Sequence, residues 1–171
     1  MKWSVQQVQS LQEKGLQLDE LVDFSELKKL DSEIREITPV RVKGDGSVTR
    51  NSVTFQLEIA GSMTLPCART LNDVEYPFTM NATEVFQLND WATFDEDEEV
   101  HQLKDNMIDL VPFVQERILL EKPLRVFSDK EEGPAPKSGS GWELTTMDDK
   151  GQEKVKVDPR LKELEKFFDK K

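Results

Sequence analysis

Two long stretches of the chain alternate apolar and polar residues. Val53, Phe55, Leu57, Ile59, Met63, Leu65 and Cys67 fall on odd positions, with Thr54, Gln56, Glu58, Ser62 and Thr64 between them. Successive side chains of a strand point to opposite faces, so this spacing predicts one long strand with one buried face. Gly61 interrupts the run and is expected to mark a bend or bulge. After the polar segment Arg69 to Asp73, the alternation resumes on even positions at Val74, Tyr76, Phe78, Met80, Ala82, Phe86 and Leu88. Two such strands around a short turn predict an antiparallel hairpin. Pro77 cannot donate to a ladder, so it is expected at an edge or bulge.

Around the hairpin the pattern is shorter-ranged. Ser4 is a candidate N-cap for a helix carrying Val5, Val8 and Leu11, with Gly15 placed to end it. Leu16 to Leu30 is ambiguous: Leu16, Leu18, Leu21 and Val22 could open as a short strand, and Ser25 to Leu30 then reads as a helical turn or two. Ile34 to Lys43 is rich in β-branched residues and is expected to end in a turn at Gly44-Asp45-Gly46. Asp109 is placed to cap a helix with Pro112 in its first turn and an apolar stripe of Val111, Val114 and Ile118. Pro123 stops that helix, and Leu124 to Phe127 reads as extended. Gly133 to Gly141 is rich in Gly, Pro and Ser and reads as linker. Asp158-Pro159-Arg160 opens a last helix whose apolar face is Leu161, Leu164 and Phe168.

Composition adds limits. Of 171 residues, 36% are hydrophobic and 33% charged, so a core is affordable but part of the chain is solvated. The net charge of −11 argues against nucleic-acid binding through bulk charge, because such affinity comes from neutralising phosphates. It leaves room for a basic protein partner. Asp90 to Asp109 holds eight acidic residues against Lys104 and reads as a solvated acidic connector. One Cys rules out an internal disulfide framework and fits a reducing cytoplasm. One His and one Cys leave no usual zinc set. No secretory signal or spanning apolar run is read, so no membrane association is expected.

No catalytic constellation stands out, and the chain is read as not an enzyme, with no cofactor, no metal and no small-molecule substrate. His101 reads as a surface histidine in the acidic connector. Asp95 to Glu99 lacks the glycine turn and spaced oxygens of a calcium loop. Cys67 reads as a small structural hydrophobe at a strand end. Arg69 is either a turn residue bonding loop carbonyls or a contact to an anion or partner. Arg35, Arg41, Lys43 and Arg50 form a candidate basic stripe that could track phosphates, set against an ordinary solvated sheet face.

The segment Gly61-Ser62-Met63-Thr64-Leu65-Pro66-Cys67-Ala68-Arg69-Thr70-Leu71 resembles the YceD family of large ribosomal RNA subunit accumulation proteins, which carries a Gly-x-apolar-x-apolar-x-Cys-x-Arg-Cys-Leu segment before a second alternating strand. Ile37 to Val42, Ile108 to Pro112, Glu116 to Pro123 and Asp158-Pro159-Arg160-Leu161 extend the resemblance over most of the chain from about Leu16. Thr70 stands where the family has its second cysteine. Further cysteines before the final Asp-Pro-Arg are absent, so any metal they hold in relatives is not expected here. The resemblance implies a non-enzymatic role in synthesis, processing or stability of 23S rRNA.

The fold expected is α+β: a twisted, barrel-like antiparallel sheet built on the long hairpin, with flanking helices. The domain boundaries expected are a core at 1–127, a flexible linker at 128–151 and a C-terminal helix at 152–171 docked on the core. Two routes to the ribosomal role are open. One is an acidic adaptor for a basic ribosomal protein or processing factor. The other is direct binding of large-subunit rRNA through a basic sheet face of Arg35, Arg41, Lys43, Arg50 and Arg69. Arg69, Leu71, Asp158 and Arg160, as retained motif residues, complete the partner or RNA-binding candidates.

Overall fold

The structure, a computed structural model, describes residues 1–13, 15–89, 100–103 and 105–143. The chain divides into two compact units, Met1–Pro134 and Ala135–Lys171.

In the first unit the elements run β1 (Lys2–Ser4), α1 (Val5–Ser10), β2 (Leu16–Val22), α2 (Leu27–Leu30), β3 (Glu36–Ile37), β4 (Val40–Val48), β5 (Ser52–Pro66), β6 (Asp73–Gln87), β7 (Val100–Gln102), β8 (Met107–Asp109) and α3 (Val111–Glu121). The predicted hairpin is β5–β6, paired in one unbroken register from Ser52↔Gln87 to Pro66↔Asp73. It forms the middle of a six-stranded sheet ordered β2-β4-β5-β6-β7, with β3 also on β5. Odd residues of β5 and even residues of β6 share the inner face. There Val53, Phe55, Ile59 and Met63 are fully buried. Val8 of α1, Leu27 of α2, and Val114 and Ile118 of α3 join the same cluster. Burying each such side chain contributes about 1.5–3 kcal/mol. Trp3 of β1 stacks on Phe55 with ring centroids 5.6 Å apart. β1 itself pairs with β8 as a separate two-stranded ribbon.

The architecture is α+β, but the sheet is open. β2 and β7 are its edges, and no ladder joins them among the described residues, so the expected barrel-like closure is not formed. The physical reason is that helices and the β1–β8 ribbon cover the inner face, leaving no need for the sheet to curl onto itself.

Three local expectations change. Gly44-Asp45-Gly46 is not a turn: β4 runs straight through it, and the chain reverses at Thr49 to Asn51. These glycines serve close packing. A Cβ on Gly46 would lie 3.1 Å from the Phe55 ring and 3.2 Å from Leu16. Gly61 introduces no bulge into the β5–β6 ladder; a Cβ there would meet Phe78 and Val40, each at 3.0 Å. The irregularity lies one strand over. Between Ile37↔Met63 and Arg41↔Ala60 the β3–β4 segment holds one extra residue. Pro39 has no N–H for a ladder. Beside it, Thr38 carries the connection, its hydroxyl accepting the Ser62 N–H at 3.1 Å while its N–H donates to the Ser62 carbonyl at 2.9 Å. Pro77 pairs with Ser62 where, among the described residues, the far side of β6 carries no strand, since β7 meets β6 at Val85 to Gln87.

Of the caps expected among the described residues, only Ser4 holds: α1 ends at Ser10 with Leu11 as its C-cap rather than at Gly15, and Asp109 lies one residue before the N-cap of α3. Ser4 and Gln7 form a reciprocal capping box on α1. Gly15 takes φ +70 ahead of β2. Leu110 is the N-cap of α3, while the Asp109 carboxylate accepts the Val111 N–H at 3.1 Å and Pro112 lies in the first turn. In the second unit, β9 (Ser138–Gly139) pairs with β10 (Trp142–Glu143) around Gly141 at φ +86. The helix expected over 152–171, with Asp158 and Arg160, lies outside the described residues, as does the acidic run 95–99. No helix among the described residues is long and apolar enough to cross a membrane.

Candidate functional site

The hairpin turn between β5 and β6 is tightly wound. The Cys67 N–H donates to the Asn72 carbonyl at 2.8 Å, and the Leu71 N–H to the Cys67 carbonyl at 2.9 Å. Closing this loop forces Leu71 to φ +59. A bulky residue rarely adopts that region, and such outliers cluster at functional sites. The Leu71 side chain is nonetheless 40% exposed. A strained backbone thus presents a leucine to solvent.

Cys67 organises the turn from inside. It is fully buried, and its Sγ accepts backbone N–H groups from Arg69 (3.4 Å), Thr70 (3.4 Å) and Ser128 (3.2 Å). Burial pushes the thiol up. The Thr70 hydroxyl and the N–H groups of Ser128, Thr70 and Arg69 outweigh burial and bring it down to about 6. The segment after α3 lies alongside: Val126 bridges Cys67 in parallel, and its carbonyl accepts the Ala68 N–H at 2.9 Å. Asn72 donates to the Glu132 carbonyl at 2.6 Å, and Gly133 lies so close to Thr70 that a Cβ would sit 2.1 Å from the Thr70 carbonyl oxygen. Residues 128–133, expected to begin a flexible linker, are strapped across the turn. Thr70, where the YceD pattern has its second cysteine, is 3% exposed and acts as a hydrogen-bonding residue within this knot. Arg69 is half-buried and reaches the Ser128 carbonyl at 3.5 Å, while its Nε is buried with no partner among the described residues. Leu124 and Phe127, flanking Val126, are 99% and 64% exposed.

The basic candidates do not share one surface. Arg35 precedes β3 and ion-pairs with Asp73. Arg50 lies in the β4–β5 turn, where its carbonyl accepts from Asn89 at 2.9 Å. Arg41 and Lys43 do share the exposed sheet face. There Arg41 donates two hydrogen bonds to Asp19, at 2.8 and 2.9 Å. That contact holds the Asp19 carboxyl below its usual range, and the same hydrogen bond raises Arg41. Lys43 lies in register between Asp19 and Glu58, with Asp45 two residues on. Two cations on this face meet three carboxylates.

Sequence reading missed Glu84. It pairs with Phe55 on the inner face and is 1% exposed. Its carboxylate accepts from Arg117 Nε at 2.7 Å and lies 2.7 Å from His101 Nε2. His101 is therefore only partly at the surface, its side chain 25% exposed: it ties β7 to Glu84, and its ring lies tilted against Phe113 with centroids 4.1 Å apart. A carboxylate on the even register of β6, among apolar neighbours, was the available signal, since buried charges are paired.

The family model for large ribosomal RNA subunit accumulation protein YceD matches residues 55–168. The chain belongs to the YceD family. The match takes in the hairpin, the Cys67 turn, α3 and the strap. The chain is also 44% identical over 170 residues to the "Uncharacterized protein YlbN" of Bacillus subtilis (strain 168), covering 98% of this chain and 96% of that protein. No solved structure matches it. Membership in the YceD family ties the chain to a ribosome-related role.

Proposed function

We propose that this YceD-family chain is a non-enzymatic cytoplasmic factor supporting the synthesis, processing or stability of 23S rRNA, and that it acts as an acidic adaptor for a basic ribosomal protein or rRNA-processing factor. The observation that carries the adaptor reading is the exposed sheet face, where Arg41 is held by Asp19 and Lys43 lies among carboxylates. No phosphate-tracking stripe is left there, and the acidity of the chain, −11 overall, is unrelieved. Such a field speeds encounter with a basic partner and repels RNA phosphate. The strained, exposed Leu71 beside Arg69 supplies an apolar anchor of the kind partner contacts use.

The test is capture of the tagged full chain from cells, with nuclease treatment before elution. A ribosomal protein or processing factor retained after RNA is destroyed is the expected result. Loss of every such protein with the RNA overturns the adaptor reading.

A further inference from the structure

A cleft of about 360 Å³ opens between β7, β8 and the start of α3, apart from the Cys67 turn. Leu103, Met107 and Phe113 give it an apolar wall. Its polar groups divide into two kinds. Lys2 and Asp109 are already committed: they pair at 3.2 Å, and Asp109 also accepts the Val111 N–H at 3.1 Å. Gln102 and Asp105 also line the cleft, are exposed, and have no side-chain partner among the described residues. The loop that presents Asp105 is held in place, because the neighbouring Asn106 carbonyl accepts the Val5 N–H at 3.1 Å. Asp105 and Asn106 both adopt the left-handed conformation, at φ +57 and +54, which Asp and Asn tolerate.

We propose that this cleft binds a guanine base. An ionised carboxylate only accepts hydrogen bonds, and it can take two parallel donors. Guanine alone among the RNA bases offers two adjacent donors, N1–H and N2–H, on its pairing edge. Its O6 and N7 acceptors match the amide donors of Gln102. The Phe113 ring and the aliphatic wall suit the flat face of the base, as in sites that read an unstacked base. Recognition is of the base and not of phosphate, because among the described residues the unpaired charge at the rim is the Asp105 carboxylate. The volume falls at the small end of ligand pockets, which span about 300–1,000 Å³. This inference goes beyond the adaptor reading and does not depend on it. The base could come from single-stranded RNA or from a free guanine nucleotide.

The full chain is titrated calorimetrically with GMP and with a hexauridylate carrying one guanosine. AMP, UMP and plain hexauridylate serve as controls, and each titration is run at about 50 and 200 mM salt. A guanine ligand is expected to bind about tenfold tighter than its control. Its affinity should change little with salt, since phosphate neutralisation contributes little. Asp105→Asn keeps a residue suited to the left-handed backbone and should reduce guanine affinity about tenfold. Binding by the guanosine oligomer but not GMP identifies RNA as the source; strong binding by GMP identifies the free nucleotide. Equal affinity for all bases, no binding of either guanine ligand, or unchanged affinity in Asp105→Asn overturns the proposal.

Discussion

Glu84 faces Phe55 directly across the β5–β6 ladder, so a carboxylate occupies the inner face at a position flanked by Ala82 and Phe86. Its two partners come from β7 and α3, which makes one buried charge the tie between the hairpin, an edge strand and the main helix. Removing one member of a buried, paired set leaves the others desolvated and unmatched. Glu84→Ala should therefore cost about 3 kcal/mol of stability. Urea unfolding monitored by circular dichroism measures this, and a loss below about 1 kcal/mol would show that the cluster is incidental.

The Cys67 thiol, lowered to about 6, predicts a pH dependence. Between that value and the ordinary thiol range the unfolded chain holds a proton that the folded chain has released. Stability contributed by this group therefore rises with pH across the window and is lost as pH falls through about 6. Cys67→Ala should flatten the stability profile between these limits. A variant profile parallel to the wild type would contradict the turn's electrostatics. Full burial adds a second expectation: alkylation of the native thiol at neutral pH should wait on local opening, despite its acidity.

Leu71 sits at a backbone position that favours Asn or Gly. Leu71→Asn should raise stability by about 0.5–1 kcal/mol and at the same time weaken capture of the basic partner. Thermal unfolding and the capture assay report the two effects separately. If the variant is more stable and still captures the partner fully, Leu71 is not the anchor.

On the exposed sheet face, Asp19 and Glu58 screen Arg41 and Lys43. The double substitution Asp19→Asn, Glu58→Gln leaves two cations against Asp45 alone. RNA affinity should then increase and fall steeply with salt, with a slope near −0.7 for each phosphate neutralised on a single strand. The wild-type face should show no such binding. A wild-type affinity already as high and as salt-dependent as the variant's would restore the direct RNA route through this face.

Much of this could be read in the residues. Alternation from Val53 to Leu88 determined the hairpin and its buried side, because side-chain direction in a strand is a local property of the backbone. Ser4, and Pro112 after Asp109, announced helix starts for the same reason. The Cys-x-Arg-x-Leu segment pointed to its family before any geometry was known.

What tertiary structure alone decided were the partnerships between distant parts of the chain. Gly44 and Gly46 look like a turn in sequence, yet they lie in a strand where a Cβ on Gly44 would meet the Gln56 carbonyl oxygen and Leu57, and one on Gly46 would meet Phe55 and Leu16. Arg41 looks like a free cation, yet Asp19, far away in sequence, claims it. His101 looks solvated until Glu84 and Phe113 close around it, and Ser128 looks like linker until its N–H finds the Cys67 sulfur. Periodicity says which way a side chain points. Whether it meets water, a ring or an opposite charge there depends on contacts that form only when the chain has folded.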